Sequence, residues 1–97
     1  MEVQEEIEFR IFELTTILKK LKKSPNRKFR KSTLIRKLRE SRTIYNELLS
    51  CLEYLDEKSQ KLNLAAARSC YGQIKIILDA KLEHPYYLSF KVVAKAV

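Results

Sequence analysis

From Lys19 to Lys31 the chain reads KKLKKSPNRKFRK, with eight Lys or Arg in thirteen positions and no acid. Cationic side chains set this closely repel one another, and a polyanion relieves that repulsion while its displaced counterions drive association. The chemistry the stretch suits is contact with phosphate oxygens. Lys19, Lys20, Lys22, Lys23, Arg27, Lys28, Arg30 and Lys31 are the expected contacts, extended by Arg36 and Lys37 and then by Arg39 and Arg42. DNA or RNA is the polyanion that best matches. Phe29 is the only aromatic residue within the stretch, so there is no platform on which bases could stack, and the expected binding tolerates any sequence.

Other readings of the same bases compete. Two basic clusters across a short spacer also fit a nuclear-import address. A solvated face that confers solubility and an acidic protein partner are further alternatives. An anionic membrane surface is the weaker one. Phe29, Leu34, Ile35 and Leu38 supply an apolar edge beside the bases, but the chain has no Trp and those residues serve better in a core. Ser24-Pro25 combines ordinary turn chemistry with a minimal proline-directed phosphorylation dipeptide. A phosphate there would set a charge of about −2 among the bases and weaken polyanion binding.

Catalysis has little to draw on. His84 is the single histidine, it precedes Pro85, and one Gly allows no glycine-rich phosphate loop. Asp56 and Glu57 are adjacent, as carboxylates at a solvated helix end are. No nucleophile–base pair or metal constellation emerges, so neither an enzyme nor a small-molecule substrate or cofactor is expected. Cys51 and Cys70 lie among apolar neighbours without Cys-x-x-Cys spacing, which reads as two reduced thiols or, alternatively, one disulfide. With His84 they make at most three ligands, too few for a structural zinc site.

The bases need positioning, and the apolar pattern says by what. Leu34, Leu38, Ser41, Tyr45, Leu48, Leu52 and Leu55 step by four and three in alternation, the seam of a helix packed along its length on other helices. Ile35, Ile44, Leu49 and Cys51 widen it into a face for two neighbours. Ile7, Ile11, Leu14, Leu18 and Leu21 repeat the spacing, widened by Ile17. Ser24-Pro25-Asn26 ends that first helix, and the short link to the next predicts an antiparallel helical hairpin that gathers the bases at its tip. Ser32 or Thr33 is the expected N-cap of the second helix.

Downstream the stripe shifts phase to Leu64, Ala67, Tyr71, Ile74 and Leu78, which predicts a turn near Ser59–Asn63 capped by one of those two residues. The alternative is one helix of about fifty residues. Ala65, Ala66, Ala67, Ser69 and Gly72 would allow a close neighbour, with Gly72 marking that contact or a local break. Pro85 opens a short C-terminal segment in which Tyr86, Phe90, Val93 and Val97 align. The reading is an all-α, small antiparallel bundle forming a single helical domain over 1–97, with helices at about 3–23, 32–58, 63–81 and 86–96.

Phe9 and Phe12 fall on the far side of the first helix from its seam and need cover. The C-terminal segment is one candidate; a homodimer or protein-partner interface is the other, and makes the chain an assembly module. Charge is segmental. Residues 1–18 carry −4, residues 19–42 carry +11 and residues 43–97 carry +1, for the net +8. The acidic start MEVQEEIEF differs from the basic start of a leader peptide, and an intracellular protein is expected, in the nucleus rather than the cytoplasm.

Overall fold

The computed structural model describes residues 2–23 and 30–82, and these form three α-helices and no strand: α1 (Val3–Lys23), α2 (Lys31–Leu52) and α3 (Glu57–Leu82). Each helix packs against both of the others. The C-terminal helix expected over 86–96, with His84, lies outside the described residues.

α1 begins with Glu5 and Glu6 in its first turn and ends with Lys20, Lys22 and Lys23 in its last, charges that suit the helix dipole at both ends. Its inner stripe is Ile7, Leu14, Ile17, Leu18 and Leu21. α2 contributes Leu34, Ile44, Leu48 and Leu52, and α3 contributes Ala67, Cys70, Ile74 and Leu78, to the same core cluster. One seam position of α2 is polar. Ser41 is fully buried and donates its hydroxyl to the Leu38 carbonyl at 3.0 Å, so the buried oxygen is satisfied within the helix.

Polar contacts tie the helices together along their length. Gln4 and Asn63 exchange two amide hydrogen bonds, both 3.1 Å, between the first turn of α1 and the second turn of α3. Higher up, Thr15 meets Cys70 (3.8 Å) and Lys22 Nζ donates to Gln73 Oε1 (3.3 Å). Tyr45 of α2 and Tyr71 of α3 stack with ring centroids 4.4 Å apart and planes within 10°.

Several expectations need correction. α2 starts at Lys31, with Arg30 in the N-cap position (φ −74, ψ 153) and no side-chain cap, so Ser32 and Thr33 lie inside the helix. The earlier start pairs the Leu34 N–H with the Arg30 carbonyl at 3.1 Å. Leu34 is fully buried, and an unpaired amide beside it would cost more than a lost cap.

α2 also stops sooner than expected, at Leu52, and the turn spans Glu53–Asp56 rather than Ser59–Asn63. Asp56 is the reason. Its Oδ1 accepts the Ser59 N–H at 2.8 Å, its Oδ2 accepts the Ser59 hydroxyl at 3.2 Å, and a carboxylate at a helix start also meets the positive end of the dipole. Ser59 and Asn63 are thereby carried into α3, where Asn63 serves the Gln4 pair. The break absorbs the shift in phase and rules out one fifty-residue helix.

Gly72 marks neither a contact nor a break. α3 runs through it with φ negative, and a Cβ there would meet nothing within 4 Å. Of the small residues around it, Ala67 faces the core, whereas Ala65, Ala66 and Ser69 are exposed.

Candidate nucleic-acid interface

The basic stretch is held from both sides by leucines. Leu21, in the last turn of α1, and Leu34, in the first turn of α2, are both buried in the one core cluster. Between and beside them Lys19, Lys20, Lys22, Lys23, Arg30 and Lys31 are exposed. Burying the leucines thus orders two helix ends while their lysines and arginines stay in water, a division of labour between adjacent positions of the same turns. Arg27 and Lys28, with Ser24, lie outside the described residues.

The bases surround the end of the bundle rather than forming a flat sheet of charge. Lys20 lines a groove toward α2, whereas Lys22 is turned to Gln73 of α3. Arg36, Arg39 and Arg42 are exposed along α2. Lys37 differs: it is half-buried and engaged within the chain, as is Lys81, which is only 6% exposed. Neither is counted among the available cations.

Glu13 and Glu40 line the groove that Lys20 enters, but neither forms an ion pair with it. Ion pairs among the described residues include Arg10–Glu13 (3.6 Å), Arg10–Glu47 (3.0 Å) and Lys61–Glu57 (3.3 Å). None involves Lys19, Lys20, Lys22, Lys23, Arg30, Lys31 or Arg36. Such a cluster can offer strong, charge-assisted contacts to phosphate oxygens at several points at once. Tyr45 and Tyr71 are stacked on each other, whereas the exposed Phe12 shares a groove with Lys20.

Phe9 and Phe12 form a separate feature. They are 54% and 66% exposed, and with Glu13, Thr16, Ile17 and Lys20 of α1 and Glu40 and Ile44 of α2 they line an open groove of about 250 Å³. Lys20 is the residue this groove shares with the basic cluster. Gln73 and Glu40, which flank the bases, were not singled out by sequence reasoning. Their proximity depends on how α1 meets its neighbours, and no local pattern encodes it.

Both cysteines are free, Cys51 half-buried and Cys70 buried. Burial pushes the Cys70 thiol up from its ordinary value, opposed by the Thr15 hydroxyl and by the charge of Lys22. Among the described residues no group of three or more His, Cys, Asp or Glu is arranged to hold a metal ion, and no described helix is long and apolar enough to cross a membrane. Comparison of the chain with protein-family models, with curated proteins and with solved structures yields no match.

Proposed function

We propose that the chain is a non-enzymatic helical interaction module whose basic end docks on the phosphates of nucleic acid or another polyanion. The observation that carries this reading is that seven exposed bases at the end of α1 and the start of α2 meet no carboxylate among the described residues. Cations that a fold does not neutralise raise its free energy, and a phosphate backbone removes that cost.

In this reading α1 and α2 are the arms of an antiparallel hairpin whose tip is the 24–30 link. Arg10 reaches Glu47, whereas Lys20, further along α1, shares a groove with Glu40, an earlier residue of α2. That reversed order is what a hairpin requires. A short helix over 86–96 would complete the bundle, and the twin basic clusters favour the nucleus as the place of action.

Recognition of this kind is electrostatic and indifferent to sequence. Equilibrium binding of the purified chain to unrelated DNA duplexes across a salt series is the test. With six phosphates engaged, log affinity falls against log salt with a slope of about −5, and scrambling the duplex leaves affinity unchanged. Absence of binding at about 50 mM salt, where such contacts are strong, overturns the reading.

A further inference from the structure

The outward face of α1 is ordered in a way the basic-end reading does not use. Glu5, Phe9, Phe12, Thr16, Lys19, Lys20 and Lys23 recur at helical spacing on the side away from the Ile7–Leu21 core stripe. Their order along the helix is acid, aromatic, small, base. Thr16 spends its hydroxyl on the Phe12 carbonyl at 2.9 Å, so the centre of the face holds no unsatisfied polar side chain from it. Two neighbouring aromatics more than half exposed over an open groove form a surface that soluble helices rarely leave bare.

The charge order identifies what fits. A helix that is acidic at its start and basic at its end is complementary to itself only when inverted. We propose that a second copy of this chain covers the face, its α1 antiparallel to the first across a two-fold axis near Phe12. Inversion about Phe12 sets Phe12 beside the partner's Phe12 and Phe9 near the partner's Thr16. It also brings Glu5 to the partner's Lys19 and Lys20, and Glu2 to the partner's Lys23. The Phe12 pair sits on the axis and every other contact occurs twice, as an isologous interface requires. A parallel arrangement would set acid on acid and base on base, so the same residues that favour the inverted pair disfavour the other.

The groove beside the aromatics, walled by Ile17 and Ile44, gives the partner's ring a place to enter. The α3 surface also exposes large apolar residues, Leu62 and Ile76, but Lys61 and Lys75 beside them give it no such acid-to-base order. In the pair, the two copies of Lys23 lie at opposite ends, roughly 33 Å apart from the helical rise alone. The pairing draws Lys19, Lys20 and Lys23 to the partner's acids and leaves Arg30, Lys31 and Arg36 of each copy exposed, so a polyanion competes with the second copy for the same lysines.

The experiment is sedimentation equilibrium of the full chain, free of nucleic acid, from micromolar to about millimolar concentration. The expected mass rises from 11.5 kDa toward twice that value. Phe12→Asp raises the dissociation constant on the order of tenfold or more, as loss of an aromatic anchor does, while circular dichroism shows the helices intact. Glu5→Lys alone weakens the pair, and so does Lys19→Glu with Lys20→Glu. All three changes together restore it, because the inverted contacts are again opposite in sign. A chain that stays at 11.5 kDa throughout overturns the proposal, as does a dimer that Phe12→Asp leaves unchanged or that the combined reversal fails to restore.

Discussion

The end of the molecule around the Glu53–Asp56 turn and the end that carries the lysines treat polar groups in opposite ways. At the first, Gln4 and Asn63 satisfy each other, Asp56 caps α3, and Arg10 bridges Glu13 and Glu47 a little further along. At the second, Lys22 has a neutral partner in Gln73, and its basic neighbours on α1 meet no carboxylate among the described residues. One end uses its polar side chains to specify how the helices meet. The other relies on Leu21, Leu34 and the rest of the core to hold charges that repel one another. Polar residues that do not serve the fold are the ones free to serve a ligand, and here they are segregated.

The largest effect should come from reversing the charged end. Lys19, Lys20, Lys22 and Lys23 all changed to Glu should lower affinity for duplex DNA on the order of a thousandfold, taking about 1 kcal/mol for each basic contact at an anionic surface. The salt slope should become shallower by about 3.6 as four phosphate contacts vanish. Thermal stability should change little, since removing the whole net charge of +8 offsets the loss of Lys20, Lys22 and Lys23 from the negative end of the α1 dipole. Unchanged binding with a lower melting temperature would show that the lysines serve the fold after all.

Gly72 provides the next test, on the stretch of α3 adjoining Gln73. It sits in a helix interior with open space where a Cβ would go. Gly72→Ala should therefore raise the unfolding free energy by about 0.5–1 kcal/mol, read from denaturant midpoints at unchanged slope. A loss instead would mean that the position needs a bare backbone for a contact.

The Arg10–Glu47 pair tests the other end. Its side chains are 25% and 50% exposed, so a double-mutant cycle with Arg10→Ala and Glu47→Ala should give a coupling of about 0.2–1 kcal/mol that salt reduces. A coupling indistinguishable from zero would remove ion pairing from the account of why this end is settled.

How much of this was legible in the sequence depends on the range of the interaction. The core stripes of α1 and α2 could be read because burial imposes a spacing of three and four on the residues themselves. The exposure of the lysines around Leu21 follows from the same periodicity. The turn was misplaced for an equally physical reason. A shift in phase says that a break must occur between two stripes but leaves its position open by several residues. Asp56 won over Ser59 and Asn63 because a charged acceptor meets the helix start better than a neutral one. Gly72 misled because a helix tolerates a glycine on an open face without using it. The Tyr45–Tyr71 stack, the Gln4–Asn63 exchange and the approach of Gln73 to Lys22 join residues far apart in the chain. Only the packed arrangement reveals them.

The smallest expected effect is the sharpest probe of the settled end. Hydrogen bonds from the Ser59 amide and hydroxyl hold the Asp56 carboxyl below its ordinary value of 3.8. A folded-state value below the unfolded one means that the ionised form is favoured by folding. The contribution is complete above about pH 4, the unfolded carboxylate range, and fades as pH falls through the lowered folded value. Asp56→Asn keeps an acceptor for the Ser59 N–H but cannot ionise. Stability of the two proteins, followed by chemical denaturation from pH 7 to pH 2, should therefore differ in favour of Asp56 at neutral pH and converge in acid. The group is fully exposed, so added salt should shrink the gap but leave its direction unchanged. A gap that widens on acidification would show that the carboxylate strains the turn, and the contrast between the two ends would lose one of its supports.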